Sequence, residues 1–301
     1  MATRKWDHTN IPDQNGRVVI VSGATSGLGK EAAQVLAGKG ATVVLAIRNR
    51  EKGNKVAEEI KQSHPEASIE VRELDLASLN TVRTFVKGFK NQYDRLDLLI
   101  NNAGVMMCPY AKTEDGFEIQ MGVNHLGHFA LTGLLMPQLK KTEGSRIVAT
   151  SSIAHRQGDI NFDDLNWEER DYKTGQAYGD SKIANLYFAY ELARKLVGNP
   201  EAPLVTAAHP GWTSTDLQRH STFFKILNPI FGQSVERGTL PTLRAATDEN
   251  AQPGDYFGPA GFMEMKGYPT VVDSNERSKD KEKARRLWAM SEELTGIQYN
   301  I

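Results

Sequence analysis

Tyr178 and Lys182 stand four residues apart in a stretch whose apolar pattern predicts a helix from about Ala177 to Val197. Residues at this spacing share one face of a helix, so the phenol and the ammonium group should be neighbours. A free tyrosine has a pKa of about 10, and a nearby positive charge favours phenolate and lowers that pKa. The pair therefore predicts a tyrosine that transfers protons near neutral pH, with Lys182 activating it.

A hydroxyl pair, Ser151 and Ser152, follows a predicted strand from Arg146 to Thr150. We expect Ser152 to hydrogen-bond the reacting oxygen of a substrate. A Tyr-x-x-x-Lys pair by itself is more often an ordinary amphipathic pair. The catalytic interpretation is favoured because the pair coincides with this strand end, with a glycine-rich turn and with the strand end Asn101–Gly104, which reads NNAG.

The glycine-rich turn follows the apolar run Val18–Val21 and precedes a helical pattern with Ala32, Ala33 and Leu36 on one face. Strand, glycine turn and helix in this order are typical of a dinucleotide site, although the spacing here is G-x-x-x-G-x-G rather than G-x-G-x-x-G. The helix N-terminus would face the phosphates with its free N–H groups. The residues expected to contact the cofactor here are Ser22, Gly23, Thr25, Ser26, Gly27, Leu28 and Gly29.

The residue after the second predicted strand indicates which dinucleotide binds. An NAD site usually has an acidic residue here for the ribose 2′-hydroxyl, whereas this strand ends in Ile47, Arg48 and Asn49. A guanidinium attracts a 2′-phosphate and matches its oxygens. Arg48 therefore favours NADP(H), with Lys30 and Arg50 as possible further cations; the alternative is that Arg48 is only a surface charge.

Strands and helices alternate over the first two hundred residues, which requires a parallel sheet covered on both faces. We expect one α/β domain with a doubly wound Rossmann sheet of about seven strands in the order 3-2-1-4-5-6-7. A helix from about Glu118 to Leu139 and a last short strand from Gly261 to Met265 are also predicted. Within residues 1–301, residues 1–16 are a lead-in, 212–235 a substrate lid and 275–301 a C-terminal helix and tail. The apolar cluster at 223–231 follows the sixth strand and a Pro-Gly turn, which favours the lid; an oligomer contact or a part of the core is the alternative.

The composition excludes several classes of function. A net charge of −1 argues against a nucleic-acid partner, and no apolar run approaches the roughly 20 residues of a membrane span. A single cysteine, Cys108, fits a reducing compartment, so we expect a cytoplasmic protein. His125 and His128 lie three apart but lack a third ligand, so no metal site is predicted.

Several of these segments together resemble the short-chain dehydrogenase/reductase family. The matching segments run from about residue 17 to 216 in the family's order. They are SGATSGLG (22–29), DL (75–76), NNAG (101–104), GVNHLGHF (122–129), SS (151–152), YGDSK (178–182) and HPG (209–211). Further similarity, in residues 101–129, in the long stretch between Ser152 and Tyr178 and near the C-terminus, is to the retinol dehydrogenase, WW-domain oxidoreductase and protochlorophyllide reductase branch.

This resemblance implies roles for individual residues. Tyr178 would be the general acid or base, with Lys182 lowering its pKa and holding the nicotinamide ribose. Ser152 would orient the substrate oxygen, and Asn124 would support Lys182 through water in a proton relay. The remaining cofactor contacts implied are Asp75 and Leu76 at the adenine, Asn102, Ala103 and Gly104 at the ribose, and Pro210, Gly211 and Thr213 at the nicotinamide.

These observations together predict an NADP(H)-dependent oxidoreductase that transfers a hydride between nicotinamide and an apolar carbonyl or alcohol. A non-catalytic NADP(H)-binding sensor or scaffold is an alternative, and a reductase of carbon–carbon double bonds is another. The expected partner is a small-molecule substrate. Both a monomer and a homodimer are compatible with the sequence.

Overall fold

The apolar, β-branched runs of the sequence form the strands of one sheet in the structure, a computed structural model that describes residues 5–213 and 232–301. The central strands are buried on both faces, as expected for strands without a solvent-facing side. The strands are β1 (Val18–Ser22), β2 (Thr42–Ile47), β3 (Ser68–Glu73), β4 (Leu98–Asn101), β5 (Arg146–Thr150), β6 (Leu204–Ala208), β7 (Tyr256–Pro259) and β8 (Pro269–Val271).

The strand order is β3-β2-β1-β4-β5-β6-β7-β8, which confirms the predicted doubly wound α/β fold and its order for the first seven strands. All neighbours are parallel except β7 and β8, where Phe257 pairs with Val271 in an antiparallel register. The predicted strand from Gly261 to Met265 is wrong. The chain there forms a loop with a 3-10 turn because Met263 has a φ of 51°, which an extended strand does not allow.

Helices cover both faces of the sheet. They are α1 (Gly27–Gly38), α2 (Arg50–Ser63), α3 (Leu79–Lys90), α4 (Ile119–Met121), α5 (Gly127–Lys141), α6 (Thr174–Lys195), α7 (Val235–Thr247) and α8 (Lys281–Thr295). A π-turn, Gly122–Leu126, joins α4 to α5, so the predicted long helix is present with an irregular start. Helix α6 begins three residues before the prediction and carries both Tyr178 and Lys182.

Two apolar cores lie on opposite faces of the sheet. One core contains α3, α5, α6 and α8, and the other contains α1, α2 and α7. Residues of one strand alternate between the two cores, as Ile20 and Val21 of β1 do. This alternation fixes the sheet register. Because β1, β4, β5 and β6 are parallel neighbours, their carboxyl ends meet along one edge.

The C-terminal helix and tail close the first core with an aromatic cluster. The Trp288 ring lies 5.1 Å from Phe129 and 4.6 Å from Tyr299 between centroids, and it stacks on Phe188 at 6.0 Å. The Tyr299 hydroxyl donates to the Phe129 carbonyl at 2.6 Å. Only glycine fits at residue 133 of α5, because a Cβ there would lie 2.6 Å from the Tyr299 ring. The tail is therefore part of the domain.

Some expectations lie outside the described residues. Residues 214–231, which include the apolar cluster and most of the predicted substrate lid, are among them. Within residues 5–213 and 232–301, each helix is too short or too polar to cross a bilayer.

We expect Trp288→Ala to lower the free energy of unfolding by about 3–5 kcal/mol, since it would leave a cavity among three aromatic rings. Phe262→Ala removes a ring that is 78% exposed and should change stability by less than about 0.5 kcal/mol. Urea denaturation of both variants checks this. Equal losses would show that the cluster does not carry the packing energy assigned to it.

Candidate active site

A cleft with a volume of about 1350 Å³ lies at the carboxyl ends of the parallel strands. Ligands of doubly wound sheets bind at this edge. The cleft brings together every residue predicted for catalysis or cofactor binding except Asn124. Those lining it are Ser22, Gly23, Thr25, Ser26, Gly27, Leu28, Gly29, Arg48, Asp75, Leu76, Asn102, Ala103, Gly104, Ser152, Tyr178, Lys182, Pro210, Gly211 and Thr213.

The Ser22 hydroxyl ties the end of β1 to the end of β4. Ser22 Oγ accepts hydrogen bonds from the backbone N–H groups of Asn102 (2.9 Å) and Ala103 (3.0 Å). It lies 2.8 Å from Nε2 of His128, whose Nδ1 lies 3.0 Å from the Asn124 carbonyl oxygen. Because a carbonyl only accepts, Nδ1 carries the proton and Nε2 accepts from the serine. A hydroxyl at residue 22 therefore holds two strand ends in register.

The glycine turn leaves no space for side chains. A Cβ on Gly29 would lie 2.5 Å from the Gly23 carbonyl oxygen and 2.5 Å from the Asn102 amide nitrogen. Gly23 and Gly27 have positive φ values of 70° and 55°, which glycine adopts without strain. Ser26, before α1, makes no side-chain capping bond, and the first residues of that helix, Gly27 to Gly29, line the cleft. These features fit a dinucleotide diphosphate.

Tyr178, Ser152 and Lys182 meet on the opposite side of the cleft. The Ser152 hydroxyl is close enough to the Tyr178 phenol to lower its pKa, and the Lys182 ammonium lies over the Tyr178 ring, 5.6 Å from its centroid. Lys182 Nζ donates to the Thr150 carbonyl at 3.3 Å. Lys182 is 4% exposed. This geometry puts a phenol, a hydroxyl and a cation around one point of the cleft.

The pKa values at this point differ from the sequence expectation. Burial raises the pKa of Tyr178 to about 12, although the nearby Ser152 hydroxyl lowers it. Burial lowers the pKa of Lys182 to about 8. The predicted lowering of the tyrosine pKa is thus reversed, because desolvation penalises the phenolate more than its surroundings stabilise it. In this structure Tyr178 holds its proton at neutral pH.

Asn124 is fully buried behind Gly104 and does not line the cleft. Its Oδ1 accepts from Val105 N at 2.8 Å, and its Nδ2 donates to the Val105 carbonyl (3.0 Å) and to Ser181 Oγ (2.8 Å). A Cβ on Gly104 would lie 3.0 Å from Asn124 Oδ1 and 3.5 Å from Lys182 Nζ. Asn124 therefore joins the NNAG strand end to α6, and its part in a proton relay stays a prediction.

Cations gather at the far end of the cleft, after β2. Arg48 lines it, as predicted, and so does Lys52 of α2, which the sequence analysis missed. The Asn49 side chain caps α2 by accepting from Lys52 N at 2.9 Å. Lys30 instead pairs with Glu59. Lys52 follows Arg48 by four residues and lies in the first turn of a capped helix. That spacing is the sequence signal that could have indicated Lys52 as a second cation of the cleft.

The substrate end of the cleft contains residues that no motif indicated. Three separate segments form it, at residues 105–111, 153–157 and 263–265, and most of their side chains are apolar. The residues concerned include Met106, Met107, Ile153, Arg156, Met263 and Met265. Flexible, polarisable methionines suit the binding of apolar groups of varied shape.

The histidines of this region are structural. His125 Nε2 lies 2.8 Å from Ser291 Oγ of α8, and burial lowers its pKa to about 3. Burial also lowers the pKa of His128 to about 4. His155 and His209 are fully buried beside the Tyr256 ring. In the part of the chain that the structure describes, no three His, Cys, Asp or Glu side chains form a group that could hold a metal ion.

A doubly wound sheet, a glycine turn at a helix N-terminus and a Ser-Tyr-Lys group in one cleft define a nicotinamide-dependent oxidoreductase. Comparison with known proteins agrees. The family model described as short chain dehydrogenase matches residues 17–223, and the chain belongs to this family.

Human retinol dehydrogenase 13 is 44% identical over 294 residues, which cover 94% of this chain and 86% of that protein. Human retinol dehydrogenase 11 is 42% identical over 287 residues, covering 94% and 86%. An uncharacterized protein from Mycobacterium paratuberculosis is 40% identical, with a TM-score of 0.84, over 99% of this chain and 100% of that one. A short chain dehydrogenase from Shigella flexneri, complexed with NADP, is 27% identical, with a TM-score of 0.67, over 82% and 98%.

We expect Gly29→Ala to lower the free energy of unfolding by about 1–3 kcal/mol, because its Cβ would meet backbone atoms that cannot move aside cheaply. Gly88→Ala is the matched control in helix α3. There a Cβ meets only the end of the Arg72 side chain, at 3.1 Å, so stability should stay constant or rise by up to about 1 kcal/mol. Thermal denaturation of both variants measures these changes. Equal changes in the stability of Gly29→Ala and Gly88→Ala would contradict the prediction.

Proposed function

We propose that this chain is an NADP(H)-dependent oxidoreductase that interconverts a carbonyl and an alcohol on an apolar small molecule. The observation that carries the proposal is the meeting of Tyr178, Ser152 and Lys182 in the cleft that also holds the glycine turn. A protein that only bound the dinucleotide would not need a buried phenol beside a buried cation.

In carbonyl reduction, the Tyr178 hydroxyl gives its proton to the substrate oxygen, and Ser152 Oγ hydrogen-bonds the same oxygen. The raised pKa of Tyr178, about 12, keeps that proton on the phenol at neutral pH, so the proton is available to the substrate oxygen. The Lys182 charge then stabilises the phenolate that remains. In oxidation the phenolate takes the proton back. A nicotinamide bound in this cleft supplies or accepts the hydride.

The cleft also supports the choice of dinucleotide. Arg48 and Lys52 supply positive charge where the adenosine ribose of a bound dinucleotide would lie, after strand β2. Cations at this position favour a 2′-phosphate. The Shigella flexneri relative is complexed with NADP. Asp75 and Leu76 would contact the adenine, Asn102, Ala103 and Gly104 the ribose, and Pro210, Gly211 and Thr213 the nicotinamide side.

We expect Tyr178→Phe to lower kcat for aldehyde reduction by about 10³-fold, because the substrate oxygen loses its proton donor. The affinity for NADPH, measured by fluorescence titration, should change less than threefold. Tyr190→Phe is the control, since that hydroxyl bonds to Ser274 and does not line the cleft. Normal turnover in Tyr178→Phe would refute the assignment.

Assay of the wild-type enzyme with an unsaturated aldehyde separates the two kinds of reductase. Recovery of the unsaturated alcohol indicates carbonyl reduction, whereas a saturated aldehyde indicates reduction of the carbon–carbon double bond. Tight NADPH binding without turnover of any carbonyl would support a binding protein instead.

We expect Arg48→Ala to weaken NADPH binding about tenfold, or roughly 1.4 kcal/mol, and to change NADH binding less than twofold. The lost interaction involves only the 2′-phosphate. Arg50→Ala, two residues further and outside the cleft lining, is the control and should leave both affinities unchanged. A wild-type preference for NADH above tenfold would show that Arg48 does not select the dinucleotide.

A further inference from the structure

The loop between β7 and β8, residues 261–267, forms one wall of the substrate end of the cleft. Met263 and Met265 line the cleft from this loop, whereas Glu264 between them does not. The Phe262 side chain points to solvent, with 78% of it exposed. The loop is short, and it contributes little apolar burial of its own to keep its two methionines in place.

The backbone of this loop is strained. Met263 and Glu264 have φ values of 51° and 57°, in the left-handed region that side chains with a Cβ disfavour. Such a conformation persists only where surrounding contacts over-determine it. One contact is the hydrogen bond from Trp212 N to the Met265 carbonyl at 2.7 Å. Gly211 must be a glycine here, since a Cβ would lie 2.4 Å from that carbonyl oxygen.

Glu264 supplies the second set of contacts, and it reaches two other parts of the cleft. Arg156, from the segment after β5, donates to Glu264 Oε1 at 2.7 Å. Glu264 Oε2 lies 3.1 Å from Nε2 of the fully buried His209, at the end of β6. His209 Nδ1 accepts from Gly211 N at 3.2 Å, so Nε2 carries the ring proton. Its contact with Glu264 Oε2 is a close polar approach without hydrogen-bond geometry, and neither atom has another hydrogen-bond partner among the described residues.

The Glu264 carboxylate therefore joins three segments that close the substrate end: the loop, the Ser152 segment through Arg156, and the turn after β6 through His209. We propose that Glu264 is a positioning residue that fixes Met263 and Met265 as a wall against the apolar part of the substrate. This inference rests on the proposed carbonyl–alcohol activity and adds to it the residue that determines selectivity for substrate length.

A short aldehyde reaches only the oxygen-binding groups, Ser152 and Tyr178, whereas a long alkyl chain must also contact the methionine wall. Loss of Glu264 frees the loop to leave its left-handed conformation, and the wall then loses its fixed position. The effect should appear in the binding of long substrates rather than in the proton transfer itself.

The test compares the wild-type enzyme with Glu264→Ala, Glu264→Gln and the control Glu276→Ala, whose carboxylate pairs with Lys279 at the surface. Hydrogen exchange of the amides of residues 212 and 260–268 reports the loop without any turnover. Steady-state kinetics with propanal and decanal report selectivity. NADPH titration reports the cofactor side of the cleft.

In Glu264→Ala we expect these amides to exchange at least tenfold faster and the ratio of kcat/KM for decanal to that for propanal to fall about tenfold. The change should come mainly from a higher KM for decanal. Glu264→Gln, which still accepts from Arg156, should lie between Glu264→Ala and the wild type, and Glu276→Ala should match the wild type. Unchanged exchange in Glu264→Ala, an unchanged ratio, or a loss of NADPH affinity as large as the change in the ratio would overturn the proposal.

Failure of the proposed activity gives a different result. If the wild-type enzyme reduces neither aldehyde, the carbonyl–alcohol assignment fails. Binding of 1-decanol, followed by tryptophan fluorescence, then replaces the kinetics: weaker binding to Glu264→Ala together with faster exchange supports the positioning role, and equal binding overturns it.

Discussion

The burial of the Lys182 ammonium group is the constraint on which the site depends. Its pKa falls from 10.5 to about 8, which corresponds to roughly 3 kcal/mol of lost stabilisation for the charged form. A charge this far from water needs fixed dipoles and a rigid support. The Thr150 carbonyl supplies a dipole, and Ser151 Oγ anchors the Lys182 backbone by donating to its carbonyl at 2.8 Å. The strand end at β5 and the helix α6 are therefore coupled through Lys182, and Asn185 Nδ2 adds a second link by donating to the same Thr150 carbonyl at 2.9 Å.

The same edge of the sheet carries the cofactor half of the site. There the backbone, rather than side chains, forms most of the cleft surface. Gly23 and Gly29 bring β1 and α1 within contact of Asn102 and Ala103, and the Ser22 hydroxyl holds the two strand ends together. Parallel strands end at one edge by topology, so the residues after each strand converge whatever their separation in sequence. The order of strand, glycine turn and helix thus determines the position of the cleft and much of its lining.

Features set by a local sequence pattern could be predicted, whereas features set by contacts between distant segments could not. The turn at Gly23–Gly29, the Ser152 strand end and the spacing of Tyr178 and Lys182 are local patterns, and all of them line the cleft as expected. The direction of the Tyr178 pKa shift depends on burial by distant segments, which spacing does not encode, and the prediction had the opposite sign. The strand expected over residues 261–265 is absent because Met263 and Glu264 adopt left-handed φ values, which the local sequence pattern did not indicate.

The two halves of the cleft are also built from different kinds of residues. The dinucleotide half relies on glycines and backbone N–H groups, whose positions are fixed by the sheet and cannot vary without breaking it. The substrate half relies on side chains from three loops, with methionines in two of them, and a change of side chain there need not disturb the fold. Relatives that keep the first half can therefore differ in the second. About 40% identity with retinol dehydrogenases accordingly establishes the family and not the substrate.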